Sequence, residues 1–130
     1  MILLDTNIVI WLASDPARIS KGAVNAMNNA RQNGEPLAVC GITLLELATL
    51  WSKGRVRTQL SLQSILDEVE RRFVVLPITG RACAQILALP TGYPNDPADR
   101  MIGATALAEG LTLVTADREI RRAKAFPTIW

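Results

Sequence analysis

Short apolar runs alternate with helix-length segments along all 130 residues, and this alternation restricts the folds open to the chain. Ile2-Leu3-Leu4, ending at Asp5, is too short for a buried helix and reads as a central strand. Pro36 to Cys40, Phe73 to Leu76 and Leu111 to Thr115 read as three further strands, and the tail as a last one. Between them lies a short helix at Ile8 to Leu12. A second is opened by the cap pair Asp15-Pro16 and ends near Asn33-Gly34. Ile42 to Trp51 is apolar nearly all round and is expected to be buried. Leu60 to Arg72 is amphipathic, with Leu62, Ile65, Leu66 and Val69 on one face. Gly80 to Leu89, Ala98 to Glu109 (stopped by Gly110) and a short basic Asp117 to Lys124 complete the helices. Pro90 to Pro97, with three prolines and a glycine, is a loop. The order implies one α/β domain over residues 1–130, a three-layer α/β/α arrangement with a mostly parallel central sheet. In such sheets ligands bind at the carboxyl ends of the strands.

Composition narrows the chemistry. The chain is 49% hydrophobic and 20% charged, which is globular rather than disordered. Its net charge of +2 argues against a polycation that coats nucleic acid. It contains no histidine, which removes Ser-His-Asp triads, His-assisted RNA cleavage and His-bearing zinc sites. Two cysteines, Cys40 and Cys83, are too few for a cysteine zinc site and are expected as free, buried thiols of a cytoplasmic protein. Neither a Walker-type loop nor a GxGxxG motif occurs. Asp5 and Asn7 interrupt the apolar N-terminus, so no signal peptide is expected there, and no apolar run reaches the roughly 18 residues of a membrane span. Carboxylate chemistry remains.

The acids fall at telling positions. Asp5 closes the first strand and Asp117 follows the fourth, so both should project from one edge of the sheet. Glu46 sits in the apolar segment Ile42-Thr43-Leu44-Leu45-Glu46-Leu47-Ala48, where an unpaired charge is costly. An arginine is one conceivable partner for it. Asp96 and Asp99 open a helix in Asn95-Asp96-Pro97-Ala98-Asp99-Arg100. Taken singly, Asp5, Asp117 and the Asp96/Asp99 pair are also good helix caps. Taken together they would repel, since two carboxylates about 4 Å apart cost several kcal/mol at an effective dielectric near 20. A divalent cation would neutralise such a cluster, and all-oxygen ligands suit Mg²⁺ or Mn²⁺.

Four segments together resemble the PIN domain, and more narrowly the VapC-type toxins of bacterial toxin–antitoxin pairs. They are Ile2-Leu3-Leu4-Asp5-Thr6-Asn7, Thr43-Leu44-Leu45-Glu46-Leu47, Asp96-Pro97-Ala98-Asp99-Arg100-Met101-Ile102-Gly103-Ala104-Thr105-Ala106 and Leu113-Val114-Thr115-Ala116-Asp117. The resemblance spans essentially the whole chain. It implies a Rossmann-like sheet and a metal-dependent ribonuclease using Mg²⁺ or Mn²⁺. The catalytic, metal-binding acids would be Asp5, Glu46, Asp99 and Asp117, with Asn7 and Thr115 in support. Asp96 belongs to the third motif, with helix capping as its expected job. Many relatives carry a histidine before that Asp-Pro, where this chain has Gly92-Tyr93-Pro94-Asn95. The resemblance also implies a cognate VapB-type antitoxin, a homodimer, and DNA contact only through the antitoxin.

Half of the fourteen basic residues lie in two stretches, Lys53, Arg55, Arg57 and Arg118, Arg121, Arg122, Lys124. Arg118, Arg121 and Arg122 follow Asp117 and are candidates for holding substrate phosphate, with a solvated helix face as the plainer reading; Arg100 beside Asp99 is open to pairing with a neighbouring carboxylate or to contacting RNA. Trp11 and Trp51 read as core packing, or as the wall of a groove for an antitoxin helix. Aromatics make up only 5% of the chain, too few for stacked recognition of RNA bases. Two alternatives stay open: a PIN fold that binds RNA or protein without cutting, and a haloacid-dehalogenase-like phosphatase. The second class begins Asp-x-Asp, but here the second acid is Asn7.

Overall fold

The period-2 alternation of a strand explains the layers. In the computed structural model, which describes residues 1–55 and 58–130, β1 (Ile2–Leu4), β2 (Leu37–Cys40), β3 (Val74–Leu76), β4 (Leu113–Val114) and β5 (Thr128–Ile129) form one sheet. Its order is β3-β2-β1-β4-β5 and every pairing is parallel. Leu4, Leu37, Val39 and Val114 point to one face and join Ile8, Val9, Met27, Leu47 and Phe73 in one core. Leu3, Ala38, Cys40 and Leu113 point to the other and join Met101, Ile102, Ala104 and Ile120. Successive strand residues therefore feed opposite layers, so β2 is buried throughout and its run is apolar without alternation. The three-layer parallel architecture is as expected.

The helices are α1 (Thr6–Ser14), α2 (Lys21–Gln32), α3 (Gly41–Ser52), α4 (Leu62–Arg72), α5 (Gly80–Ala84), α6 (Pro97–Glu109) and α7 (Arg118–Ala123). Several boundaries differ from the sequence reading. α1 begins at Thr6 rather than Ile8, because the Asp5 carboxylate accepts the Thr6 N–H. Asp15-Pro16 opens only a 3₁₀ turn, Pro16–Arg18, and Asp15 makes no side-chain cap. The cap of α2 is Ser20, whose hydroxyl accepts the Ala23 N–H at 3.1 Å. The Gly80–Leu89 helix tightens to 3₁₀ over Gln85–Ala88. Gly110 ends α6 in the left-handed region at φ 63°, where a Cβ would be strained.

α3 is not buried as expected. It hides Thr43 and Leu47, while Leu45 is 61% exposed and Trp51 39% exposed. The apolar run is wider than the face its neighbours cover. Trp11 does pack, 6.0 Å from the Trp130 ring and under the Arg18 guanidinium at 4.4 Å. Both cysteines are free, but only Cys40 is buried; Cys83 is exposed on the short α5. Arg57 lies outside the described residues. Among those described, no helix is long and apolar enough to cross a membrane.

Candidate active site

The strand order reverses at β1, which has β2 on one side and β4 on the other, and the crevice at that point opens at the carboxyl ends. Asp5 is the first residue beyond β1 and is held there by its N–H to the Val114 carbonyl at 3.0 Å. Its side chain is buried, yet both oxygens have donors. Oδ1 accepts the Thr6 N–H at 2.8 Å and Oδ2 accepts the Thr115 hydroxyl at 2.7 Å. Thr115 in turn accepts the Asp117 N–H at 3.1 Å, so the end of β4 is tied to the end of β1. Asp117 Oδ1 caps α7 by accepting the Ile120 N–H at 3.0 Å. Capping and membership of the acid group are thus compatible roles.

Glu46 arrives from α3, half-buried, and its Oε1 accepts the Thr6 hydroxyl at 2.5 Å. Thr6 Oγ1 also lies 3.0 Å from Thr43 Oγ1. No arginine pairs with Glu46 among the described residues. Asp99 sits in the first turn of α6, where its N–H is capped by Asp96 Oδ2 at 3.0 Å with Pro97 at the first helical position. Asp96 is exposed and has the capping job foreseen for it. The Tyr93 hydroxyl donates to the Asp99 carbonyl at 2.9 Å, and burial of its phenol pushes that group's pKa up.

The charges declare that these acids share one field. Burial pushes the Asp99 carboxyl up to about 7, and Asp5, Asp96, Asp117 and Glu46 all push the same way. Asp5 is raised by burial first and by Asp117 and Asp96 after it, against the lowering effect of its Thr115 and Thr6 hydrogen bonds. Glu46 is raised by burial, Asp5 and Asp96, while Thr6 opposes the shift. The ion pairs among the described residues, Met1–Glu35, Arg71–Glu68, Arg72–Glu68 and Arg81–Glu109, all lie elsewhere. Among those residues no group of three or more His, Cys, Asp or Glu side chains is drawn together closely enough to hold a metal ion by itself. The donors that share the field are all oxygen. That fits a hard cation such as Mg²⁺, which keeps waters and uses few carboxylates.

A pH dependence follows. The folded-state value of Asp99, about 7, lies above the ordinary 3.8, so the folded chain holds this proton more tightly than the unfolded one. The resulting stability is complete below the ordinary value and is lost as pH rises through about 7. In EDTA the chain should melt at a higher temperature at pH about 5.5 than at about 8, and Asp99→Asn should shrink the difference. Melting curves that Asp99→Asn leaves equally pH-dependent would assign the effect elsewhere.

The remaining candidates are less closely placed. Asn7 is exposed on α1 and makes no side-chain hydrogen bond among the described residues. Arg100 turns its guanidinium to the Pro94 and Ile86 carbonyls, each at 3.5 Å, rather than to a carboxylate. Arg118, Arg121 and Arg122 are exposed on α7, free of ion pairs among the described residues. An apolar groove of about 470 Å³ runs between α1, α3 and α4, lined by Val9, Leu12, Leu47, Ile65 and Phe73; neither Trp11 nor Trp51 lines it. Thr6, Thr43 and Tyr93 were not foreseen. Thr43 lies three residues before Glu46, on one helical face with it, which was the available signal.

Fold and site together define a parallel α/β domain with acids gathered at its switch point. The family model of the PIN domain matches residues 2–125, and the chain belongs to that family. Within it the chain is of the VapC type: it is 37% identical over 120 residues to Ribonuclease VapC22 of Mycobacterium tuberculosis, covering 92% of this chain and 89% of that protein. VapBC2 of Rickettsia felis, solved with a DNA fragment from its promoter, superposes with a TM-score of 0.74 at 23% identity over 98% of this chain and 97% of that one. VapBC-1 of nontypeable Haemophilus influenzae gives 0.71 at 26% identity, over 98% and 96%. DNA-bound VapBC of Salmonella typhimurium gives 0.67 at 27%, over 98% and 97%. Membership of this family removes the phosphatase alternative.

Proposed function

We propose that this chain is a divalent-cation-dependent endoribonuclease, the toxin of a toxin–antitoxin pair, restrained in the cytoplasm by a VapB-type antitoxin. The observation that carries the reading is the group of Asp5, Glu46, Asp99 and Asp117: after burial, the charges of the other three all raise the proton affinity of Asp99, and none of the four is in an ion pair among the described residues. The ribonuclease name of the 37%-identical relative and the VapBC complexes among the structural neighbours support it.

Asp5, Asp99 and Asp117 would hold Mg²⁺ or Mn²⁺, with Glu46 as a further ligand or as the base. When bound, the cation supplies charge neutralisation, a more acidic water and stabilisation of the leaving oxygen. The chain's own residues do the rest. Thr115 and the Thr6 N–H fix both oxygens of Asp5, so its rotamer is set before substrate arrives. As the base, Glu46 would accept the proton of the attacking water. Arg118, Arg121 and Arg122 meet the flanking phosphates from α7. The antitoxin lays an apolar helix face in the groove between α1, α3 and α4. The chain works as a homodimer and reaches DNA only through its antitoxin.

The test is incubation of the purified, antitoxin-free chain with total bacterial RNA, with Mg²⁺, with Mn²⁺ and with EDTA, followed by sequencing of the RNA ends. Discrete cuts that EDTA abolishes are expected. RNA left intact by a folded, cation-binding chain would turn the reading to a PIN fold that binds without cutting.

A further inference from the structure

We infer that Thr43 and Thr6 form a two-hydroxyl relay that positions Glu46 against Asp5, with Thr6 the positioning residue that joins the two acids. The inference rests on the ribonuclease reading for its consequence in cutting, and on geometry for the relay itself.

A threonine hydroxyl carries one proton and accepts through its lone pairs. Thr6 Oγ1 lies 2.5 Å from Glu46 Oε1, a charge-assisted distance, and gives its proton there. Its 3.0 Å contact with Thr43 Oγ1 must then use the proton of Thr43. The relay runs one way, from Thr43 to Thr6 to Glu46. Thr6 is 4% exposed and Thr43 0%, so bulk water has no access to replace either donor. The Thr6 main chain grips the other acid, donating N–H to Asp5 Oδ1 at 2.8 Å. One residue at the start of α1 therefore sets the spacing between a carboxylate of β1's end and one of α3. The relay occupies Oε1 of Glu46 and leaves Oε2 without a hydrogen bond among the described residues. The branched side chain of Thr6 adds a restricted χ1, so the hydroxyl stays aimed.

Thr6→Val removes the proton and keeps the shape. A folded Thr6→Val should cut RNA about 10–100-fold more slowly, chiefly in kcat, and Thr6→Ser should regain most of the loss. Calorimetric titration of the EDTA-stripped chain with Mn²⁺ should show the same order, with Thr6→Val binding about tenfold more weakly. In a Glu46→Ala background, Thr6→Val should change Mn²⁺ affinity no further, because no carboxylate remains to be positioned. Thr43→Val leaves the Thr6 proton in place and should show a smaller loss of the same kind; it stands in if Thr6→Val does not fold. The relay is overturned if the folded variant cuts RNA and binds Mn²⁺ as the parent does, or if the loss persists undiminished without Glu46. A parent that neither cuts RNA nor binds Mn²⁺ overturns the ribonuclease reading, and the relay with it.

Discussion

Asp5→Asn should lower RNA cutting by about a thousandfold or more and, in EDTA, raise the melting temperature. The first effect follows if Asp5 holds the proposed cation, since removing a ligand charge would cost several kcal/mol of transition-state stabilisation, at about 1.4 kcal/mol per factor of ten. The second follows from burial. Asp5 is 6% exposed and its carboxyl is raised by that burial and by neighbouring acids, so the folded state favours the neutral form. An asparagine provides a neutral form at every pH. It retains one acceptor, for the Thr6 N–H, and turns an amide N–H toward Thr115, whose own proton then loses its acceptor. That rearrangement costs about 1 kcal/mol, less than the removal of a buried, repelled charge returns. Calorimetry in EDTA beside an RNA-cutting assay checks both. Parent-like cutting would remove Asp5 from the site, and a lower melting temperature would mean that its hydrogen bonds outweigh the repulsion.

Gly103→Ala should destabilise the chain by about 2 kcal/mol, or roughly 8 °C, and depress cutting although residue 103 bears no charge. A Cβ there would stand 2.3 Å from the Tyr93 hydroxyl and 2.7 Å from Cζ, with Leu89 at 3.3 Å on another side. Tyr93 is 4% exposed and packs against Phe126 at 6.1 Å between ring centres, so its ring has little room to withdraw. A displaced Tyr93 would also release the Asp99 carbonyl and loosen the first turn of α6, which carries an acid of the site. Melting curves and cutting rates of Gly103→Ala and of Gly103→Ala/Tyr93→Phe separate these effects. The double variant should recover stability in part, since the closest atom in the clash is the phenol oxygen.

The layers were legible because a parallel sheet covered on both faces needs continuous apolar runs, and Leu37–Cys40 is such a run. The acids were legible for the converse reason. Asp5 and Asp117 follow the runs of two adjacent strands, and Glu46 interrupts an apolar helix, so each breaks a local rule. Threonine breaks none, and Thr6 and Thr43 were passed over because their work depends on α1 and α3 meeting in space. The Asp15-Pro16 cap was misplaced because it is locally as good as Ser20; only the packed position of α2 decides between them. The burial of α3 was overstated because an apolar residue reads alike whether it faces its own core or the surface. Leu45 and Trp51 show the difference.

The account stands on one claim, that the acids beyond β1 and β4, in the middle of α3 and in the first turn of α6 form a single cation site. Calorimetric titration of the EDTA-stripped chain with Mn²⁺ tests it directly, with Asp5→Asn and Asp99→Asn beside the parent. The parent should take up Mn²⁺ with release of protons near pH 7, because Asp99 is part-protonated there. Each variant should bind far more weakly. A parent that binds no Mn²⁺, or variants that bind it as the parent does, would contradict the claim.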